Sequence, residues 1–295
     1  MRNVPCNLCG SERCRVLYRP TRRLVDQSGI FSASGGVRGT QTIVRCLECG
    51  LVYVNPRVDD ATLMSEYSGA ADDYQSGGAG REKTFRRGLG FFESRAGNRG
   101  RLLDVGCADG IFVKLAKEAG WNARGIEPCR YLAERGRREF SIDVRVGDLA
   151  DVRDAEGSFD AITLWDVLEH LHDPMAGLHI CNRLLKKGGH ILISYPDFGS
   201  LLARAAGRYW WFLLSVHLYY FTRTTLAAYL ARTGFRDLEF AMHWQSLPLG
   251  HLLNISRIYV GRFGELLARG ASRAGIGDLL IPYYAAQTDL IARKE

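Results

Sequence analysis

Arg101-Leu-Leu-Asp104-Val-Gly106-Cys-Ala108-Asp-Gly110-Ile-Phe opens the regular part of the chain. Its first residues read as a short apolar strand, Gly106 begins a turn, and the apolar spacing from Ile111 to Ala119 is helical. The succession repeats downstream. Ala123 to Ile126 predicts a strand, Tyr131 to Phe140 a helix and Asp143 to Val146 a strand. Phe159 to Trp165 predicts the next strand, Met175 to Leu185 a helix and His190 to Tyr195 a further strand. Alternation of this kind specifies an α/β fold, a parallel sheet covered on both faces.

Ligands of such sheets sit beyond the carboxyl ends of the strands, and the residues found there agree with one another. After the first strand come Gly106, Ala108 and Gly110, small enough for backbone amides to reach a ligand, with the Asp104 carboxylate beside them. Glu127 ends the second strand, where an acid can grip both hydroxyls of a ribose. Asp148, followed by Leu149, ends the third and can accept from an exocyclic amine such as that of adenine. Trp165 and Asp166 end the fourth, a flat ring beside a carboxylate. The set describes a pocket for a nucleoside without phosphate. A dinucleotide site needs Gly-x-Gly-x-x-Gly, whereas Gly106 and Gly110 bracket Cys107, Ala108 and Asp109, and that aspartate would repel pyrophosphate. A Walker loop fails as well, because no Gly-Lys-Ser/Thr follows.

The chain has eight cysteines. In a reducing compartment their spacing, rather than disulfide pairing, has to explain them. Cys6-Asn-Leu-Cys9-Gly10 and Cys46-Leu-Glu-Cys49-Gly50 are matched pairs, each with a two-residue gap followed by glycine. Two such turns supply four thiolates to one tetrahedral zinc. Between them, Arg13 to Arg45 has few large apolar residues and includes Ser28-Gly29 and Ser34 to Gly36, so the metal would supply stability that the segment lacks. A four-sulfur site leaves no position for water, which makes this zinc structural. Cys14 competes as a ligand, while Cys107, Cys129 and Cys181 fall inside expected core elements.

The net charge of +7 is spread over arginines in expected helices and loops. That is a solvated basic surface and not a nucleic-acid interface, so no nucleic-acid partner is expected. The opening residues contain no apolar stretch behind their positive charges, which makes the cytoplasm the expected compartment. The most apolar window, Tyr209 to Phe221, contains His217 and is shorter than the ~20 residues of a membrane-spanning helix. It reads either as a lid over an acceptor or as packing against the sheet, and partial exposure would permit shallow membrane-surface contact.

The motifs LLDVGCADGIF, GIEP, VGDL, FDAITLWDVLEHLHDP, LLKKGGHILIS, HLYYFTRTTL and GF resemble those of the class I S-adenosylmethionine-dependent methyltransferases, over about residues 100 to 240 and again at the C-terminal strand. The resemblance implies a Rossmann-like seven-stranded methyltransferase sheet, here with a small N-terminal zinc-ribbon module. It places Asp104, Gly106, Ala108 and Gly110 around the methionine part and the sulfonium, Glu127 on the ribose, Asp148 and Leu149 on adenine, and Trp165 and Asp166 at the closing side. Ala108 departs from the glycine of many relatives. A knuckle followed by such a domain looks like bacterial proteins linked to cell-surface sugar or secondary biosynthesis, and DVLEHL is similar to the ubiquinone-pathway O-methyltransferases. In those relatives an acid, a glutamate and a histidine of this stretch can gather a divalent ion, here Asp166, Glu169 and His170.

The expected layout is a zinc-binding module over 1–60, a linker and helical cover over 61–98, and the methyltransferase domain over 99–295. Acceptor-site insertions are expected at about 197–233 and 243–284, and Leu238 to Met242 and Leu290 to Arg293 should be the last strands, with helices between. His170 and His217 are the candidate general bases. The expected reaction is methyl transfer to an oxygen of a small-molecule or sugar/lipid-linked acceptor. The rival reading is an adaptor that binds cofactor without turnover.

Overall fold

The computed structural model describes residues 1–20, 40–57, 78–97 and 99–295, the side chains of 255–260 excepted. Ser28-Gly29 and Ser34 to Gly36 of the segment between the cysteine pairs, and residues 61–77 of the expected linker, lie outside the described residues.

Short strands β1 (Cys14–Tyr18), β2 (Ile43–Cys46) and β3 (Val52–Val54) precede helix α1 (Gly78–Ala96). Then β4 (Arg101–Val105), α2 (Ile111–Glu118), β5 (Asn122–Glu127), α3 (Arg130–Phe140) and β6 (Val144–Val146) alternate. They continue into β7 (Phe159–Trp165), α4 (Pro174–Leu184) and β8 (Leu185–Pro196). Helix α5 (Leu201–Ala206), strand β9 (Tyr219–Tyr220) and helix α6 (Arg223–Arg232) lead to β10 (Phe235–Pro248). Helices α7 (Leu249–Val260) and α8 (Arg262–Arg273) separate β10 from β11 (Leu280–Lys294).

The large sheet has seven strands in the order β10-β11-β8-β7-β4-β5-β6. Strands β4 to β8 are parallel, and β11 runs antiparallel to both of its neighbours. Leu102, Leu103, Ile162, Leu164, Ile191, Leu192 and Ile193 are at most 1% exposed, as expected of strands covered on both faces. After β4 the chain winds outward through β5 and β6, then returns to β7 on β4's other side. The switch point that opens a ligand crevice therefore lies at the carboxyl end of β4. Strands β10 and β11 are longer than the sequence suggests. They continue as a two-stranded ribbon past Trp244↔Tyr284 to Pro248↔Leu280, because aromatic cross-strand pairs support an extended conformation there.

A second sheet joins the N-terminal strands in the order β1-β2-β3-β9. Its last strand comes from the aromatic segment, through Val52↔Tyr220 and Tyr53↔Tyr219. Trp210, Phe212, Tyr219, Tyr220 and Phe221 are buried, whereas Tyr209 is 73% exposed. The segment packs against Ile43, Val52 and Val54 of the N-terminal sheet. Polar ties reinforce the junction. Asn7 accepts from the Tyr229 hydroxyl at 3.0 Å and the Met175 amide at 3.2 Å, Arg57 lies over the Tyr219 ring at 4.4 Å, and Arg232 donates to the Leu8 carbonyl. Among the described residues no helix is long and apolar enough to cross a membrane.

Candidate functional site

At the end of β4 the Asp104 side chain is buried and accepts from the Thr163 hydroxyl of β7 at 2.6 Å. Burial pushes its pKa up to about 8, and the nearby Glu127 charge adds to the effect. The chain then turns through Gly106, Ala108 and Gly110, all at positive φ (65°, 50° and 74°). An added Cβ on Gly106 would meet Val167 at 2.6 Å, so glycine is required there by sterics as well as by conformation. Glu127, at the end of β5 and inaccessible to solvent, accepts from the amides of Ala108 and Cys129, each at 2.9 Å. Burial raises its pKa to about 7 against the pull of these two amides. The β4 turn and the β5 end are thus cross-linked through one carboxylate.

Arg81 escaped the sequence reading, and Asp109 was read there only as an obstacle to pyrophosphate. Asp109 is fully buried in the turn and pairs with Arg81 of α1 at 3.1 Å, and its other oxygen has no partner among the described residues. Asp109 was legible as an acid in the loop. Arg81 was not, since nothing local marks one arginine of a basic helix as the one that reaches the crevice.

Asp148 and Leu149 sit past the end of β6. Asp148 is exposed and caps the turn Leu149–Asp151 by accepting from the Ala150 amide at 2.8 Å, and Leu149 is buried. Trp165, at the end of β7, lies among Phe85, Phe112 and His243, with centroids 5.2, 5.0 and 5.9 Å away. Its ring lies so close to Gly88 of α1 that a Cβ there would stand 2.4 Å from it. Asp166, at φ 52°, accepts from Gln287 of β11 at 2.7 Å. Gln287 in turn meets Gln245, which accepts from the Tyr283 hydroxyl. Beside this chain His243 faces the Asp289 carboxylate at 2.9 and 3.0 Å, both residues buried. Burial alone would lower the His243 pKa, but the facing Asp289 charge outweighs it and raises the value. The partner of Asp166 and the His243–Asp289 pair come from β10 and β11, far along the chain.

Just beyond Asp166 a second cluster forms. Ligand atoms of Glu169, His170 and His217 lie within 4.8 Å of one another. His170 Nδ1 contacts the Val216 carbonyl at 2.9 Å, and His217 Nδ1 contacts the Phe212 carbonyl at 2.8 Å. A carbonyl only accepts, so each Nδ1 carries the proton and each Nε2 keeps its lone pair. The two rings are 4.7 Å apart. Burial lowers the His170 pKa to about 4 and, with His170 alongside, lowers that of His217. Burial raises Glu169, whose carboxylate oxygens have no hydrogen-bond partner among the described residues. Burial thus disfavours the charged form of all three groups. The gathered trio is Glu169, His170 and His217. Asp166, tied to Gln287, is not part of it.

The other group is the cysteine cluster. Cys6, Cys9, Cys46 and Cys49 place their sulfurs within 4.8 Å of one another, with Cys6 to Cys49 at 3.4 Å and Cys9 to Cys46 at 3.5 Å. Cys14 stands outside it. The two turns share one geometry: the Gly10 amide donates to the Cys6 carbonyl at 2.7 Å and the Gly50 amide to the Cys46 carbonyl at 3.2 Å, with φ of 74° and 77°. Burial works against ionisation of Cys46, but the Cys49 and Glu48 amides outweigh it and hold its pKa down to about 7.

Strand order and the acids at the strand ends define a class I methyltransferase fold. Residues 79–239 match a family described as "Methyltransferase domain". A ubiquinone biosynthesis O-methyltransferase of Alkalilimnicola ehrlichii is 35% identical over 114 residues, 36% of this chain and 43% of that relative. One from Xanthomonas oryzae pv. oryzae is 35% identical over 100 residues, 32% of this chain and 42% of the relative. The chain thus spans less than half the length of these curated relatives. A solved S-adenosylmethionine-dependent methyltransferase from Archaeoglobus fulgidus superposes with a TM-score of 0.51 at 20% identity, covering 80% of this chain and 100% of the other, a likeness of fold. The chain belongs to the methyltransferase-domain family, and S-adenosylmethionine is the cofactor that the family implies. The crevice suits that cofactor. Asp104, Asp109, Glu127 and Asp166 gather around the Arg81 guanidinium, a set of carboxyl groups complementary to a positively charged sulfonium.

Proposed function

We propose that the protein methylates an oxygen of a small-molecule or sugar/lipid-linked acceptor, with His170 and His217 as the groups that receive the acceptor's proton. S-adenosylmethionine supplies a methyl group on a leaving group that needs no acid, so alignment and acceptor deprotonation are what remain for the protein. Asp104, Gly106, Ala108 and Gly110 hold the methionine end, Glu127 the ribose, Asp148 and Leu149 the adenine, and Trp165 and Asp166 close the crevice. The observation that carries the acceptor side is the cluster of Glu169, His170 and His217, which begins three residues after Asp166 and sets the two imidazole rings 4.7 Å apart. Burial that disfavours the imidazolium favours the uncharged ring, the form that can take a proton from the acceptor as it attacks. The names of the curated relatives, O-methyltransferases, favour oxygen as the target.

We also propose that Cys6, Cys9, Cys46 and Cys49 bind a structural zinc. Tetrahedral zinc–sulfur bonds of about 2.3 Å require sulfurs about 3.8 Å apart, close to the spacing of the Cys6–Cys49 and Cys9–Cys46 pairs.

The test is calorimetry with S-adenosylmethionine followed by transfer of labelled methyl to cell extract. His170→Ala and His217→Ala should lower the transfer rate about 100- to 1000-fold while cofactor affinity stays within about twofold. Full transfer by both variants, or cofactor binding by the parent with no labelled product, would overturn this assignment and leave the adaptor reading.

A further inference from the structure

Of the two helices between β10 and β11, the second is built against the usual rule for a surface helix. A surface helix normally turns its large apolar side chains to the core. Helix α8 does the opposite. Its small residues Gly264 and Ala271 are buried, while Phe263, Leu266 and Leu267 are 61%, 62% and 42% exposed. The turn that follows continues the pattern, with Ile276 at 48% and Leu279 at 57%. Positions 263, 266, 267 and 270 share one face of a helix with 3.6 residues per turn. The exposed large residues therefore form one stripe and are not scattered.

Charge flanks that stripe on one side. Arg262, Arg269 and Arg273 are all exposed and fall close to whole helical turns from one another. Glu265 is the helix's one acidic residue, and it pairs with Arg269 at 2.6 Å. Arg262 and Arg273 make no ion pair among the described residues. The chain as a whole carries +7. An outward apolar stripe with a row of arginines along its edge is complementary to one surface in particular, the boundary between acyl chains and anionic phosphate headgroups, where guanidinium groups bind phosphate in two-pronged fashion.

We infer that α8 and the turn after it dock the protein on an anionic bilayer surface, with Phe263, Leu266 and Leu267 entering the acyl boundary and Arg262, Arg269 and Arg273 on the headgroups. The aromatic segment does not make this contact, since all but its edge is buried between the two sheets. Docking stands on the helix surface alone and needs neither cofactor nor acceptor, so its failure leaves the methyl-transfer reading untouched.

The experiment is co-sedimentation of the full chain with vesicles of phosphatidylcholine alone and of phosphatidylcholine with phosphatidylglycerol. The protein should bind the anionic vesicles and release them at high salt. Phe263→Gln with Leu266→Gln should weaken binding about tenfold or more. Arg262→Gln with Arg273→Gln should weaken it about 25-fold, at about fivefold for each arginine near the surface. These positions are exposed, so unchanged unfolding temperatures should accompany both losses. Equal binding by parent and variants, or indifference of the parent to anionic vesicles, overturns the inference. A concentration-dependent dimer that Leu266→Gln dissociates, with no vesicle binding, overturns it too and gives the face to a second copy.

Discussion

Raising the pH through neutrality should loosen the ligand-free protein and tighten its hold on S-adenosylmethionine, and Asp104 is the group responsible. It is 1% exposed, and burial holds its pKa at about 8 against an ordinary 3.8. Between those values the unfolded chain is ionised at this position while the folded one keeps its proton. The favourable contribution is therefore complete below the lower value and is lost as pH rises toward the upper one, at about 1.4 kcal/mol per pH unit. From about pH 5.5 to about pH 7.5 the loss is about 3 kcal/mol from Asp104 alone. Glu127, raised to about 7, adds to it in the lower part of that window. A cation beside Asp104 favours the ionised form, so cofactor binding near neutral pH should release about one proton and strengthen up to about tenfold per pH unit.

The assay is thermal unfolding across this pH range, with and without cofactor, joined to calorimetry in buffers of different ionisation enthalpy. Asp104→Asn keeps an acceptor for the Thr163 hydroxyl, which now donates at 2.6 Å. It should therefore fold, show a flatter pH profile and bind cofactor about 30- to 150-fold more weakly, the loss of a charged contact of about 2–3 kcal/mol. A parent protein equally stable at both ends of the range, or a variant that keeps the full slope, would refute the reasoning.

Elemental analysis should find about one zinc per chain, and Cys6→Ser or Cys49→Ser should remove it and lower the unfolding temperature; a metal-free parent with unchanged melting speaks against the site. Trp210, fully buried between Phe198 and Phe212 at 5.6 and 5.5 Å, should cost about 3–5 kcal/mol on change to alanine. Tyr209→Ala next door, at a largely exposed position, should stay within about 0.5 kcal/mol. Denaturant titration of both variants checks the contrast, and equal losses would mean that the segment does not join the sheets as described.

The sheet was legible in the sequence because its signals are local. Apolar runs such as Leu102-Leu103 and Ile191 to Ile193 need only their own composition to declare a doubly covered strand. Gly106 and Gly110 announce a positive-φ turn wherever they stand, and a Cys-x-x-Cys-Gly turn shapes itself. The strand-end acids could be named for the same reason, since each follows directly on its strand.

Tertiary structure alone decided the partners. Arg81 meets Asp109, Gln287 meets Asp166, His243 meets Asp289, and His217 joins Glu169 and His170, each across 28 or more positions of chain. No spacing rule links such residues, because their meeting depends on strand register and on how α1 and the aromatic segment lie over the sheet. The same holds for β9, whose two tyrosines complete a sheet begun in the N-terminal residues, and for α8, whose periodicity gives an amphipathic helix but not which face looks outward. Local composition set the conformations of the elements. Long-range packing chose which of their side chains were brought together and which were left facing solvent.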